Sequence, residues 1–390
     1  MIAFLIEWME MQQPCASKDE CDIVATLKST IIEHALPLWS GVGWDDTRGG
    51  FVERLDQFGR PDLDATRRVR VQARQIYCFA KAAQCGWYPE GRALALKGLD
   101  YLLSKAKGRD GKPGYVHTLG PDGTTLDSRR DCYDHAFVLL ALSNVYALDQ
   151  DAQVRGEIDE LTAFLDGPMR SESGGYRESL PDALPRRQNP HMHLLEAMIA
   201  AFDATGDVAF RNLAGELFAL FTSRFYDQQR CVLGEYFETD WTMIEPVCVE
   251  PGHQAEWTWL LKEYQRISGH DTAAYREQLL TSTLRYQDAS GCLVDEGNAE
   301  GVITKSTRRC WPQTELAKAW LAQAQHGVAG AEQAARTALQ SLYSNYLCHP
   351  VRGGWYDQFD QSGRSLVDAV PASTFYHVFC AVHEAEQVLG

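Results

Sequence analysis

Apolar residues recur at helical spacing in twelve stretches of the chain, near residues 20–39, 66–86, 90–107, 131–149, 153–166, 190–205, 208–226, 252–269, 272–288, 311–326, 329–347 and 371–388. Strand-like alternation is confined to the segments between them. The connections alternate in kind. Each odd stretch leads through a long loop to the next even one. Each even stretch leads onward through a short link, such as Gly86-Trp87-Tyr88-Pro89, Thr205-Gly206-Asp207 or Ser268-Gly269-His270-Asp271.

The long loops share a signature in which glycine or a turn residue precedes an aromatic or apolar pair. It reads Gly49-Gly50-Phe51-Val52, Pro113-Gly114-Tyr115-Val116, Gly174-Gly175-Tyr176-Arg177, Cys231-Val232-Leu233-Gly234, Gly291-Cys292-Leu293-Val294 and Gly353-Gly354-Trp355-Tyr356, at intervals of 57 to 64 residues. In the fourth copy the glycine is displaced. A single helical hairpin cannot bury its apolar face, whereas stacked neighbours share one core. Six hairpins with their long loops at one end therefore predict an all-α fold, a closed (α/α)6 barrel of twelve helices, in preference to an open solenoid. The barrel is expected to occupy residues 20–390 as one catalytic domain, with residues 1–19 a loosely held N-terminal extension.

Composition narrows the partners. Apolar residues make up 45% and charged residues 23% of the 390, an ordinary globular balance. The 53 acidic residues exceed the 37 basic ones, for a formal net charge of −16, which disfavours nucleic acid and anionic membrane as partners. Eleven scattered cysteines never form C-x-x-C and suit reduced thiols in a cytoplasmic protein. The segment Met1 to Met11 carries Glu7 and Glu10 and no basic n-region, so it reads poorly as a signal peptide. A soluble homodimer is compatible with the charge.

The reactive side chains show a second regularity, because they collect in the first turns of the even helices. Arg74 and Gln75 lie in the second, Asp134 and His135 in the fourth, and Asn189, His191 and His193 in the sixth. His253 and Glu256 open the eighth, Trp311 and Glu315 the tenth, and His377 lies in the twelfth. If the even helices form the inner ring, these groups converge on one mouth floored by helix N-termini, which favour oxygen-rich ligands. Asn189-Pro190 reads as an N-cap followed by proline at the first helical position, with His193 on the same face as Asn189. His191 and His193 suit either a metal pair or core histidines satisfied by hydrogen bonds. His253 and Glu256 suit metal ligation, a general base oriented by its carboxylate, or a structural ion pair. Trp257 and Trp311 suit either sugar-face stacking or core packing. Arg74 is costly to bury unpaired, so it meets either an oxygen-rich ligand or an internal carboxylate such as Glu315. The nucleotide-binding glycine motifs and G-x-S-x-G are missing from the sequence, which leaves nucleotide cofactors and serine hydrolysis without support.

Gln72-Ala73-Arg74-Gln75, Tyr133-Asp134-His135-Ala136-Phe137, Asn189-Pro190-His191-Met192-His193-Leu194, Pro251-Gly252-His253-Gln254-Ala255-Glu256-Trp257, Trp311-Pro312-Gln313-Thr314-Glu315 and Tyr376-His377, taken with the twelve-helix repeat, resemble the N-acylglucosamine 2-epimerase superfamily and, within it, the mannose isomerase branch. The resemblance implies a sugar substrate, no metal or redox cofactor, and proton transfer at the sugar's carbon 2. By the same resemblance His253 and His377 are the acid and base. Arg74, Asn189, His193, Glu256, Trp311, Tyr115 and Glu315 are the expected substrate contacts. No arginine lies between Thr239 and Gly252, where some members carry one, and this favours a neutral sugar.

Proton transfer through an enediol gives a ketose when the proton returns to carbon 1 and an epimer when it returns to the other face of carbon 2. The leading expectation is mannose–fructose isomerisation, with 2-epimerisation of N-acetylglucosamine or a glucosyl disaccharide as the alternative. A glycoside hydrolase would need two opposed carboxylates, drawn from Asp134, Glu256 and Glu315. A non-catalytic sugar-binding protein would need only the tryptophans.

Overall fold

The computed structural model describes residues 22–390, so the expected extension over residues 1–19 lies outside the described residues. Twelve helical elements follow. They are α1 (Ile23–Ser29, continuing through a π-helical turn Thr30–Ala35 into Leu36–Ser40), α2 (Val69–Gln84), α3 (Gly91–Lys105), α4 (Cys132–Asp149), α5 (Ala152–Asp166) and α6 (Asn189–Thr205). The second half comprises α7 (Val208–Leu220, extended by Phe221–Phe225), α8 (Pro251–Ser268), α9 (Ala273–Thr283, extended by Leu284–Tyr286), α10 (Cys310–Gln325), α11 (Ala331–Leu342, extended by Tyr343–Leu347) and α12 (Ser373–Leu389).

Burial separates two rings. The even helices are covered nearly all round: α4 buries every residue from Asp134 to Val145, as a helix in the middle of a core must. The odd helices bury a single stripe, which in α5 is Val154, Ile158, Leu161, Phe164 and Leu165. The inner helices pack in the order α2, α4, α6, α8, α10, α12 and back to α2, while each outer helix covers one inner neighbour and α1 covers α12. The ring is therefore closed, an (α/α)6 barrel. In the short link from α6 to α7, Gly206 turns the chain at φ 70° and Asp207 caps α7 by accepting from the Ala209 N–H, as a C-terminal glycine and an N-cap aspartate should.

Two repeated hydrogen bonds fix the loop end. First, a side chain in the opening turn of an inner helix accepts from the backbone N–H just after the loop glycine or its counterpart. Gln72 holds Phe51 at 2.7 Å, His135 holds Tyr115 at 2.9 Å, His191 holds Tyr176 at 2.9 Å, Gln254 holds Leu233 at 3.0 Å and Gln313 holds Leu293 at 2.8 Å. In the sixth repeat Phe375 stands at the corresponding place and stacks on Trp39 and Trp355. Second, the N–H three residues before each clamp position donates to a carbonyl in the loop of the next repeat. These pairs are Val69 to His117, Cys132 to Glu178, Gln188 to Glu235, Cys310 to Asp357 and, across the seam, Ala372 to Glu53 at 3.0 Å. In the remaining repeat the donor position is Pro251, which has no N–H to give. The seam is reinforced where Arg54–Asp56 pairs antiparallel with Ala369–Pro371.

Candidate active site

Because these bonds set all six inner helices at one height, the residue five positions after the donor falls at a common level around the barrel axis. That level reads Arg74, Phe137, His193, Glu256, Glu315 and His377, one from each inner helix. Consecutive members touch. The Arg74 guanidinium lies 4.2 Å from the Phe137 ring centre, and Phe137 lies 4.5 Å from the His193 ring. His193 Nε2 is 3.8 Å from Glu256, Glu256 and Glu315 bring oxygens within 4.8 Å of each other and of His377, and His377 Nδ1 donates to Glu315 at 2.9 Å. One turn nearer the mouth, Tyr133, Asn189, Gly252 and Trp311 form the next level. Gly252 is required there by close approach, since a Cβ on it would sit 2.5 Å from the Trp311 ring.

The two imidazoles expected to act as acid and base both stand next to Trp311. Its ring centre lies 5.0 Å from His253 and 5.5 Å from His377. Both are tied through Nδ1, His253 to Glu235 at 3.0 Å and His377 to Glu315 at 2.9 Å, so Nε2 is the reactive nitrogen of each. Their surroundings push them apart. Burial works against a charge on His253, but the carboxylates of Glu235 and Glu250 outweigh it and lift the imidazole to about 9. Burial dominates at His377 and lowers it to about 4, with Arg74 adding to the shift against the pull of Glu315. Near neutral pH one ring is an imidazolium and the other a free base, the division of labour that acid–base catalysis needs.

Beneath this level Lys318, fully buried, lies 2.8 Å from Glu315 and 3.7 Å from the Trp259 ring centre. Burial opposes ionisation of Glu315, yet Lys318 and His377 hold its carboxyl down at about 2. His193 donates through Nδ1 to Glu196 at 3.0 Å, and the Tyr376 hydroxyl bonds the same carboxylate. Arg74 donates to the Tyr133 hydroxyl at 2.7 Å and to the Ser373 carbonyl at 3.3 Å. The internal carboxylate is thus not its partner, because Lys318 has claimed Glu315. The side-chain oxygen of Asn189 and Nε of Arg74 are buried without a hydrogen-bond partner among the described residues, which leaves them available to the polar groups of a ligand or of water.

Several sequence expectations are relocated. Glu256 does not orient His253. Residues three apart on a helix differ by roughly 60° in direction, so His253 turns toward its own loop and Glu235 while Glu256 turns to the axis. Tyr115 packs edge-on against His135 with its hydroxyl beside Glu157 and Glu160 of α5, outside the ring of site residues. His135 and His191 are loop clamps. Trp257 is core, stacked 4.5 Å from Phe221 with its indole N–H on Gln188. Asp134 is ion-paired to Arg70 and bonded to His117, and Gln75 donates to the Ala372 carbonyl.

Three residue groups have donor atoms close enough to hold a cation: His117 with Asp131 and Asp134, Glu235 with Glu250 and His253, and Glu256 with Glu315 and His377. In the last, the Lys318 ammonium already stands at Glu315. Sequence reasoning missed Glu235, Glu196, Tyr133 and Lys318. A signal existed for Glu235: three residues after the loop anchor, or four in the fifth repeat, the repeats carry Glu53, His117, Glu178, Glu235, Asp295 and Asp357, a polar residue every time.

Residues 49–381 match the family model for N-acylglucosamine 2-epimerase. The chain belongs to the N-acylglucosamine 2-epimerase family. A mannose-6-phosphate isomerase of Rhizobium meliloti (strain 1021) is 36% identical to it over 92% of this chain and 95% of that one. A solved D-mannose isomerase superposes with a TM-score of 0.85 at 24% identity, covering 95% of this chain and 100% of its own. The cellobiose 2-epimerase of Spirochaeta thermophila DSM 6192 superposes with a TM-score of 0.85 at 23% identity, over 94% and 96%. These solved structures bear on the fold. The family membership and the relatives make this N-acylglucosamine 2-epimerase family member a sugar isomerase or epimerase. Of the carboxylates the hydrolase alternative would draw on, Asp134 is ion-paired to Arg70, and Glu256 and Glu315 have oxygens within 4.8 Å of each other.

Among the described residues no helix is long and apolar enough to cross a membrane.

Proposed function

We propose that this enzyme interconverts mannose and fructose, with His253 and His377 as its acid and base. The observation that carries the reading is the pair of imidazoles, one held protonated and one neutral, that both stand within 5.5 Å of the Trp311 ring centre. The indole offers an apolar face to the sugar. His253 gives a proton to the ring oxygen and receives the proton of the anomeric hydroxyl, which opens the hemiacetal and leaves the imidazole as it began. His377 Nε2 takes the proton from carbon 2, with its Nδ1–H anchored on Glu315. Arg74 and the Asn189 amide stabilise the oxygens of the enediol-like intermediate, and return of the proton from His377 to carbon 1 gives the ketose.

The arginines around the mouth support an uncharged sugar. Arg68 is engaged by Glu53 and Arg187 by Glu178, Arg70 lies 3.1 Å from Asp134, and Arg309 lies 3.6 Å from Asp295. A phosphate would have to break these pairs. The Rhizobium meliloti relative is nevertheless named for mannose 6-phosphate, so kcat/KM for mannose and for mannose 6-phosphate is the comparison to make, and a preference for the ester overturns the neutral-sugar reading.

A second reading, 2-epimerisation, follows from the second imidazole, His253, beside the same indole, which could return a proton to the other face of carbon 2. Incubation with mannose in heavy water separates the two. Fructose labelled at carbon 1 is the expected product; glucose labelled at carbon 2 without ketose makes the enzyme an epimerase.

A further inference from the structure

Isomerisation through an enediol needs a hydroxyl proton moved as well as a carbon-bound one: oxygen 1 must gain a proton and oxygen 2 must lose one. We propose that Glu256 is a protonated carboxylic acid in the resting enzyme and that it performs this shuttle, its O–H giving a proton to oxygen 1 while its other oxygen takes the proton from oxygen 2. The inference rests on the isomerase reading and adds a third catalytic residue to it. The balance closes within one turnover. His377 removes the carbon 2 proton and returns it to carbon 1, Glu256 gives one proton and receives one, and both end as they began.

Charge decides the state of Glu256. Four permanently or potentially charged groups act on it: Glu196 from α6, Glu315 and Lys318 from α10, and His253 from its own helix, with neutral His193 and His377 beside it. His253 is balanced by Glu235 at 3.0 Å and Glu315 by Lys318 at 2.8 Å, while Glu196 accepts hydrogen bonds from His193 and the Tyr376 hydroxyl. Glu256 has neither a counter-ion of its own nor a hydrogen bond, for neutral His193 stops 3.8 Å short of it. Both of its oxygens are buried without a hydrogen-bond partner among the described residues, and its neighbour at the same level is the Glu315 carboxylate. An unpaired carboxylate so enclosed costs several kcal/mol and resolves the cost by taking a proton. Burial, reinforced by Glu315, indeed moves its carboxyl well above the usual range. The same two unpartnered oxygens are the geometry a shuttle requires, one to donate and one to accept. Glu256 also sits within 4.8 Å of His377, next to the ring assigned to carbon 2.

Glu256→Gln tests this, since the amide still donates a hydrogen bond but transfers no proton. In heavy water the variant is expected to wash deuterium into carbon 2 of recovered mannose at near the wild-type rate while fructose formation falls by about 10²-fold or more. Equal loss of both, or retention of both, overturns the shuttle. A carboxylic-acid carbonyl band in the infrared spectrum of the resting enzyme at neutral pH, missing from the variant, reads the proton directly, and its absence from the wild type also overturns the proposal. The underlying reading fails separately, if His377→Asn still exchanges the carbon 2 proton.

Discussion

The backbone N–H of Tyr176 donates to Nε2 of His191 at 2.9 Å, and the imidazole returns its other nitrogen to the Arg187 carbonyl at 3.3 Å. Three other repeats make the same clamp with glutamine. His191→Gln is therefore expected to leave stability within about 0.5 kcal/mol of wild type, whereas His191→Ala leaves a buried N–H unmet and costs about 1–3 kcal/mol. Urea unfolding at neutral pH reads both.

The clamp histidines also set an acid response. Burial lowers His191 to about 3 and His135 to about 4 in the fold, below the ordinary imidazole value near 6.5. Below that value the unfolded chain binds protons that the native rings refuse, so stability falls as pH drops from about 6.5 toward 3. Replacing both with glutamine flattens the slope, which unfolding midpoints at pH 7.5 and 5 measure.

Activity has the opposite-signed limbs of an acid and a base. His253 works as the imidazolium, so kcat/KM is lost as pH rises through about 9; His377 works unprotonated, so it is lost as pH falls through about 4. Glu235→Gln removes the carboxylate nearest His253 and moves the alkaline limb to lower pH with the acid limb in place. An unmoved alkaline limb rules out this role for Glu235.

Lys318→Met strands the Glu315 carboxylate in a sealed site and is expected to destabilise the fold by about 3–5 kcal/mol. Adding Glu315→Gln removes the stranded charge and recovers part of that loss while activity stays low, because His377 has lost its carboxylate. Thermal melts of the two single variants and the double variant, compared as a cycle, check the coupling.

Gly252→Ala drives a methyl against the Trp311 ring. The expected result is a raised KM for sugar, a changed indole fluorescence and a fold destabilised by about 1–3 kcal/mol, read by kinetics, emission spectra and thermal melts.

The sequence made the barrel legible because its signals are local. Periodicity marked each helix, and the glycine-aromatic loops repeated often enough to count. Helix ends were less exact: the expected 208–226 stretch ends as α-helix at Leu220 and finishes as a π-helical turn, a change that spacing does not register. In the site, five of the six residues at one level, all but Phe137, were legible because each is a polar residue in an opening turn. Glu235 was hidden because it lies in the loop whose glycine is displaced, and it reaches His253 only when that loop folds back. Lys318 was hidden because a lysine deep in a helix looks like any exposed one until its level in the barrel is known.

The bond from Ala372 to Glu53, with the strand pair beside it, joins the two ends of the repeat series. A linear stack of repeats can fray from its terminal units, losing one interface at a time. A circle offers no such starting point: removing any one unit breaks two interfaces and unseats the two neighbours at once. Unfolding is thereby pressed toward an all-or-none event, and the residues that must face a sugar together are kept, or lost, together.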